Sequence, residues 1–374
     1  MTTLTKLEGM ARRAATMHDV AKIAGVSIKT VSRVVNNEAG VSPELYDKVQ
    51  KAMKLLDYQH NEVASNLRRG SLRTATIGLL LEDVSNPFSS AVHRAVEDVA
   101  RQHETLVLTG SNDEDPAREE EIVLALTSRR VDGLIVMPAS RDTGGVLRKR
   151  QANGLILVDS NHDRAALLRV RRSGRPVVFI DRPAPFADAD SVMVDNRVSS
   201  TKAVLHLAQH GHTSIAFLGD WSNIWTTAER HIGYIEGLAA AGLQLNARII
   251  KPDIWSSEAA HHATTELLNS KNAPTALFTG QNLVTIGAVR ALQQLGLQHR
   301  VALVGFDDFP MADLLNPAVT VIAQDPAAIG RAAAEMLFAR LDGDRQPPQH
   351  LVVPTRFVAR GSGELGIGES GLVS

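Results

Sequence analysis

The stretch between residues 17 and 36, MHDVAKIAGVSIKTVSRVVN, constrains the fold of this chain more than any other. Its apolar residues recur at helical spacing on both sides of Gly25, which predicts two short helices joined by a tight left-handed turn. Ser27 offers a hydroxyl cap to the second helix, Ile28 to Asn36. Such a pair forms a helix-turn-helix, whose second helix fits the major groove of DNA. Spacing alone leaves open a helical hairpin within an ordinary domain.

The outward side chains of the predicted second helix suit base recognition. Lys and Arg can donate to guanine O6 and N7, and Ile can touch a thymine methyl group. With the capping serine included, the predicted DNA-contacting residues of this segment are Ser27, Ile28, Lys29, Thr30, Ser32, Arg33 and Asn36.

Charge is distributed unevenly, although the net charge of the 374 residues is only −1. Residues 1–73 contain 12 Lys and Arg against 7 Asp and Glu, whereas residues 74–374 contain 28 against 34. A basic head on an acidic body favours attraction of phosphates at one end of the molecule.

Composition excludes several other classes of protein. The chain has no cysteine, which excludes disulfides, thiolate catalysis and cysteine-ligated metal sites. No run reaches the ~18 apolar residues of a membrane span, and the N-terminus lacks the apolar region of a secretory signal. We therefore expect a cytoplasmic protein with no membrane partner, no metal and no cofactor.

From residue 74 onward, apolar strands alternate with amphipathic helices. This alternation predicts parallel sheets covered by helices on both faces, with ligands bound beyond the carboxyl ends of the strands. The number of strand-helix units is too large for one compact sheet. We therefore predict an α/β body of two similar lobes with a cleft between them, behind an all-α head.

The segment DVAKIAGVSIKTVSRVVNN resembles the signature of LacI-family transcriptional regulators. The resemblance continues through NEVASNLR at residues 61–68, IGLLL at 77–81, NPF at 86–88 and VGFDD at 304–308. It implies a helix-turn-helix DNA-binding domain at residues 16–60, a flexible arm at 1–15, and a hinge helix or linker at 61–73. The predicted DNA-binding residues of the hinge are Asn61, Ala64, Leu67 and Arg68. The resemblance implies that Leu67 is the minor-groove wedge and that Ala64 helps form the contact between paired hinge helices, while Arg68 is placed to meet phosphates. His60 and Glu62 depart from the usual hinge pattern.

The same resemblance implies a body like a periplasmic sugar-binding protein, in which the chain crosses between lobes three times. We expect the N lobe at about residues 74–180 and 309–320, and the C lobe at about 194–308 and 321–360. Residues 361–374 are rich in Gly and Ser and are predicted to be a disordered tail. Residues 140–175 are longer than the family pattern, which predicts either an extra strand-helix turn or a surface loop.

Polar residues at predicted strand ends indicate where a ligand binds. Carboxylates, amides and arginine hold sugar hydroxyls, and aromatic rings stack on the C–H faces of sugars. Arg230 and Asp307 match the effector-binding Arg and Asp of the family, while Asp181 and Gln281 fall at other effector-contacting positions. Phe88 and Trp221 are the predicted stacking walls. Isolated polar residues at strand ends are equally typical of helix caps and turns.

The sequence thus predicts a ligand-responsive regulator, most simply a repressor, that binds a palindromic DNA operator as a homodimer. Its expected effector is a sugar or sugar derivative. The chain lacks a GxxxxGK[ST] loop, an HExxH helix and a GxSxG elbow, so an enzyme is not indicated. A sugar-modifying enzyme or a sugar-binding protein with a fused DNA-binding head remains the alternative.

Overall fold

The computed structural model describes residues 15–35, 40–58, 73–139, 165–184 and 189–367, and the chain divides into two compact units at Thr74. The described part of the first unit, the head, consists of helices α1 (Met17–Ala24), α2 (Ile28–Val35) and α3 (Pro43–Leu55). The predicted hinge residues 61–68 and Asn36 lie outside the described residues.

Local capping explains where the helices of the head begin and end. Thr16 and Asp19 form a reciprocal capping box at the start of α1. Gly25 ends α1 with a φ of 67°, which confirms the predicted left-handed turn. The Ser27 hydroxyl accepts a hydrogen bond from the Thr30 backbone N–H at 3.1 Å, which caps α2 as expected.

A small apolar core holds these helices together. Val20 from α1, Val31 and Val34 from α2, and Val49 from α3 are buried in one cluster. Because these valines occupy the inner faces, the polar residues of α2 are directed away from the core.

The second unit, the body, contains two six-stranded sheets. The sheet of the N lobe contains the strands β1 (Thr76–Leu81), β2 (Leu106–Ser111), β3 (Leu134–Val136), β4 (Val177–Ile180), β5 (Asp190–Val194) and β11 (His350–Val353). The sheet of the C lobe contains the strands β6 (Ile215–Leu218), β7 (Ile250–Lys251), β8 (Ala276–Thr279), β9 (Ala302–Phe306), β10 (Thr320–Ala323) and β12 (Arg356–Val358).

Helices cover both sheets. The helices of the N lobe are α4 (Pro87–Gln102), α5 (Pro116–Ser128), α6 (Ala165–Arg172) and α11 (Pro326–Leu341). The helices of the C lobe are α7 (Asn196–Gln209), α8 (Trp225–Ala240), α9 (Ser257–Leu268) and α10 (Asn282–Gln294). The predicted α/β architecture is therefore present.

The two sheets share one strand order. It is β2-β1-β3-β4-β5-β11 in the N lobe and β7-β6-β8-β9-β10-β12 in the C lobe, and only the β10–β12 pair is antiparallel. Each sheet is buried on both faces because alternate residues point to opposite sides: Ile77, Leu79 and Leu81 pack on one face of β1 and Leu80 packs on the other.

The lobe boundaries differ from the predicted ones. Residues 309–320 lie in the C lobe, because they join β9 to β10 in the same sheet. Residues 326–353 belong to the N lobe, because α11 packs against α4 and β11 pairs with β5. The N lobe also extends through β5 to Val194 rather than ending at residue 180. The chain crosses from the N lobe to the C lobe for the last time between β11 and β12.

The C-terminal segment 361–367 also differs from the prediction, because it packs against the C lobe instead of forming part of a tail. Ser362 is buried and its backbone N–H donates to the Ala318 carbonyl at 3.0 Å. The Glu364 carboxylate accepts hydrogen bonds from the Thr320 hydroxyl and the Gly361 N–H and contacts the His206 ring. Residues 368–374 lie outside the described residues.

Glu364 gives this segment a testable dependence on pH. Burial alone would raise the pKa of Glu364, but its hydrogen bonds with His206, Thr320 and Gly361 outweigh burial and lower the pKa to about 2. The stabilisation is therefore present above the ordinary pKa and is lost as the pH falls from 4.5 towards 2. We expect Glu364→Gln to lower the free energy of unfolding at pH 7 by about 1–2 kcal/mol, allowing for partial solvent screening.

Urea unfolding followed by circular dichroism at several pH values measures this effect. Glu335→Gln, at an exposed position on α11, is the matched control and is expected to behave like the parent protein. If the parent protein and Glu364→Gln lose the same amount of stability between pH 4.5 and 2, Glu364 is not the source of this pH dependence.

The longer segment at residues 140–175 is described only in part. Helix α6 packs against α5 through the buried Leu167 and Val170, and Arg169 pairs with Glu120 at 3.0 Å. The predicted extra strand falls at residues 153–159, which lie outside the described residues.

Candidate functional site

The outer face of α2 is the candidate DNA-contacting surface. Ile28, Lys29 and Arg33 are exposed, and Thr30 and Ser32 are half-buried beside them. Ile28, Lys29 and Arg33 lie within two helical turns and form one surface with two cationic donors and an apolar contact. These are the groups that base recognition in the major groove requires.

The candidate ligand site lies in the body, between the two lobes. It is a cleft of about 440 Å³, including the part open to solvent. The charged side chains that line it are Glu82, Asp181, Arg182, Asp220, Arg230 and Asp307. Phe88, Gln281 and Gln324 also line it. Most of these residues follow the carboxyl ends of parallel strands, which is the usual place for ligands in such sheets.

Arg230 is the cation that the C lobe directs into the cleft. Its Nε donates to Asn196 Oδ1 at 2.8 Å, and its Nη1 donates to the Gly280 carbonyl at 2.6 Å and lies 3.5 Å from Asp307 Oδ2. The guanidinium carbon lies 3.8 Å from the centre of the Phe306 ring, a cation–π contact. Among the described residues none accepts a hydrogen bond from Nη2, so this nitrogen remains available to a ligand.

Asp181 and Asp307 occupy equivalent places in the two lobes. Asp181 follows β4 and Asp307 follows β9, with φ values of 66° and 71°. Their backbone N–H groups donate to Val192 and Ile322 on the next strand. This left-handed conformation is tolerated by aspartate and directs both carboxyl groups into the cleft. Burial raises the pKa of both, against the lowering effect of nearby arginines.

Glu82 and Asp220 form a second such pair. Glu82 follows β1 directly and Asp220 lies two residues after β6, and these strands hold the same place in the two sheets. Asp220 accepts hydrogen bonds from Gln281 Nε2 at 2.7 Å and from the Trp221 N–H at 2.6 Å. Burial raises the pKa of Asp220 to about 6 despite these bonds. Burial and the Glu114 carboxylate raise the pKa of Glu82 well above its ordinary value.

Arg182 is the cation of the N lobe. Its guanidinium forms a two-pronged, buried ion pair with Glu114 and also donates to the Pro138 carbonyl. Burial lowers the pKa of Arg182, but the carboxylates of Glu114, Asp181 and Glu82 together outweigh burial and raise the pKa. Since most of its charge is directed at Glu114, Arg182 stabilises the wall of the cleft more than it offers charge to a ligand.

A hydrogen bond links the two lobes across the cleft. Asn282 Nδ2, at the start of α10, donates to Asn86 Oδ1 at 2.9 Å. Asn86 is the N-cap of α4 and also accepts from the Phe88 N–H at 3.0 Å. The N-termini of α4 and α10 therefore face each other, and any change in the separation of the lobes alters this contact.

The structure brings together five of the six residues predicted as ligand contacts: Phe88, Asp181, Arg230, Gln281 and Asp307. Trp221 is not among the residues that line the cleft, and its role as a stacking wall stays a prediction. The Trp221 ring instead stacks on Trp255, with ring centres 5.5 Å apart.

Sequence reasoning missed Glu82, Asp220 and Gln324 as residues that line the cleft. Glu82 satisfies the same strand-end rule that singled out Asp181, because it follows an apolar strand directly. Gln324 satisfies the rule as well, because it directly follows the apolar strand β10.

Two absences hold for the part of the chain that the structure describes. No cluster of three or more His, Asp or Glu side chains there is arranged to hold a metal ion. Nor is any helix of that part long and apolar enough to cross a membrane.

Comparison with known proteins gives the family of the chain. Residues 16–61 match the family model of bacterial regulatory proteins of the lacI family, and residues 204–363 match that of the periplasmic binding protein-like domain. The transcriptional regulator DegA of Bacillus subtilis is 30% identical over 354 residues, which cover 93% of this chain and 97% of DegA. The chain belongs to the LacI family. The family resemblance of the sequence is thereby confirmed.

Solved structures agree with this assignment. The lac repressor dimer bound to operator and the anti-inducer ONPF has a TM-score of 0.78 and 25% identity, covering 95% of this chain and all of that one. The transcriptional regulator CelR in complex with cellobiose has a TM-score of 0.66 and 26% identity, covering 93% of this chain. This LacI-family protein therefore combines a helix-turn-helix DNA-binding domain with a periplasmic-binding-protein-like body, and its relatives are transcriptional regulators rather than enzymes.

Proposed function

We propose that this LacI-family protein is a transcriptional repressor whose affinity for a palindromic operator is controlled by a sugar or sugar derivative. It acts on DNA in the cytoplasm as a homodimer. The observation that carries the proposal is the presence, in one chain, of an exposed cationic helix face and a polar cleft between two lobes. The solved relatives in complex with operator and with cellobiose support both halves of it.

The proposed contacts to DNA come from two segments. Ser27 and, from α2, Ile28, Lys29, Thr30, Ser32 and Arg33 read base edges in the major groove, with Asn36 just after α2. The resemblance adds Asn61, Ala64, Leu67 and Arg68 at the minor groove, where an inserted apolar side chain unstacks a base step and kinks the duplex. Two symmetry-related copies make these contacts on the two half-sites of the operator.

In the cleft, the proposed effector contacts are Phe88, Asp181, Arg230, Gln281 and Asp307. Arg230 Nη2 donates to the ligand, the carboxyl groups accept from hydroxyl groups, and the Phe88 ring covers a C–H face. An effector acts on DNA affinity only through its different affinities for the two arrangements of the lobes. The Asn86–Asn282 contact lies between the lobes and is one contact that such a rearrangement changes.

Selection of bound sequences from random duplex DNA tests the proposal. With the full-length protein near physiological salt, we expect enrichment of an inverted repeat of about 14–20 base pairs with a central C-G step. Repeating the selection with sugars present is expected to reduce the recovery of that repeat. Recovery of unrelated sequences that varies only with salt, with and without sugars, would contradict the proposal.

A further inference from the structure

Glu82 is the carboxyl group of the cleft that has the fewest partners. It follows β1, which lies between β2 and β3 at the point where the strand order of the sheet reverses. Among the described residues none donates a hydrogen bond to its side chain, and no arginine or lysine lies within 4.0 Å of it. An acceptor with no internal donor, placed at the edge of a cleft, requires a donor from water or from a ligand.

The remaining charges of the cleft do not favour an anion. Four lining carboxyl groups, Glu82, Asp181, Asp220 and Asp307, face the two guanidinium groups of Arg182 and Arg230. Arg182 is directed at Glu114, and two of the three nitrogens of Arg230 already donate within the protein. An incoming carboxylate or phosphate therefore meets more negative charge than positive charge.

We propose that the cleft accepts an uncharged or cationic polyhydroxylated compound, such as a neutral or amino sugar, and excludes sugar acids and sugar phosphates, with Glu82 setting this preference. The proposal rests on the proposed effector site. Hydroxyl and ammonium groups donate to Glu82, whereas a second anion is repelled by it. Since Asp220 lies at the equivalent place in the other lobe, carboxyl groups from both lobes accept hydrogen bonds from one ligand.

Titration of Glu82 agrees with this arrangement. Its pKa is raised by burial and by Glu114, Asp220 and Asp181, and it is lowered by Arg182, with a net shift well above the ordinary value. A donor group of a ligand would favour the carboxylate, and an anion would disfavour it further.

Thermal unfolding and titration calorimetry of the full chain at pH 7.5 test the proposal with matched sets of probes. One set is glucose, glucosamine, glucuronate and glucose 6-phosphate; the second contains the corresponding galactose compounds, and the third is ribose and ribose 5-phosphate. We expect a neutral or amino sugar to raise the Tm, with its acid or phosphate bound at least about 100-fold more weakly.

The outcomes separate this proposal from the proposed function. If an acid or phosphate binds as tightly as its uncharged parent, the effector site stands and the charge preference is overturned. If no probe in any set binds, both the sugar effector and the charge preference are overturned.

Glu82→Gln shows whether this residue sets the preference. The variant keeps the size of the side chain and removes its charge, so we expect about 10- to 100-fold weaker binding of the best uncharged probe. We also expect a smaller difference in affinity between that probe and the corresponding sugar acid. Glu121→Gln, an exposed position on α5, is the control and is expected to leave both affinities unchanged. If Glu82→Gln discriminates between the best uncharged probe and its acid as strongly as the wild-type protein does, the proposed role of Glu82 is overturned.

The stability of the ligand-free protein gives an independent readout of Glu82. Because the folded pKa of Glu82 lies above its ordinary value of 4.5, protonated Glu82 contributes to the stability of the folded protein at low pH. This contribution is lost as the pH rises through the folded pKa. Glu82→Gln lacks this loss, so its Tm at pH 7.5 is expected to exceed that of the parent. A lower Tm would mean that Glu82 stabilises the cleft, contrary to the proposal.

Discussion

Replacement of Arg230 by alanine is expected to lower the free energy of unfolding by about 3–5 kcal/mol and to abolish the response to effector. Arg230 is buried, and its guanidinium donates to Asn196 and Gly280 and faces Asp307. Removing it leaves these acceptors without a donor and leaves a buried carboxyl group without its cation. It also removes Nη2, the proposed donor to the ligand.

Two further variants make this result specific. Arg290→Ala removes an arginine whose partner, Glu258, is exposed on the surface of the C lobe, and it is expected to have no measurable effect on stability or on effector response. Arg230→Lys retains a positive charge but not the planar guanidinium, so we expect a folded protein that binds the best sugar probe at least about 100-fold more weakly. Normal release from operator by sugar in Arg230→Lys would contradict the cleft assignment.

Arg33→Ala is expected to eliminate the preference for operator while leaving the fold intact. A bidentate contact between arginine and guanine contributes about 1–3 kcal/mol of discrimination, and a symmetric dimer makes it twice. The summed loss of about 2–6 kcal/mol corresponds to a decrease in specific affinity of roughly 30- to 20,000-fold. Because Arg33 is exposed on α2 and alanine favours helices, we expect no decrease in thermal stability.

Fluorescence anisotropy with operator and scrambled duplexes measures this discrimination over a range of salt concentrations. Lys51→Ala, at an exposed position on α3, is the control, and we expect it to weaken binding to both duplexes to a similar, small extent. If Arg33→Ala retains the operator preference of the parent protein, the recognition surface assigned to α2 is wrong.

The head could be predicted from sequence because its determinants are local. Gly25 ends α1 with the conformation that its lack of a side chain permits, and Ser27 caps α2 through its own hydroxyl. The valines at helical spacing lie only a few turns apart in sequence, so the pattern that predicts the helices also predicts which faces pack together.

The cleft could be predicted in part, for a different reason. Parallel strands place their carboxyl ends at one edge of a sheet, so a polar residue directly after an apolar strand is a candidate in any such fold. This rule, with the family resemblance, gave Asp181 and Asp307. It does not extend to Trp221, which lies three residues beyond β6 and whose ring stacks on Trp255, 34 residues away in sequence.

The amino-acid sequence by itself determined the alternation of strands and helices in the body and the two short helices of the head, because short-range periodicity and capping specify both. Only the tertiary structure decided that residues 326–353 return to the N lobe and that residues 361–367 pack on the C lobe. It also decided that Glu82 and Asp220 converge across the cleft. These features depend on strand pairing and on contacts between distant segments, which the local pattern of apolar and polar residues does not encode.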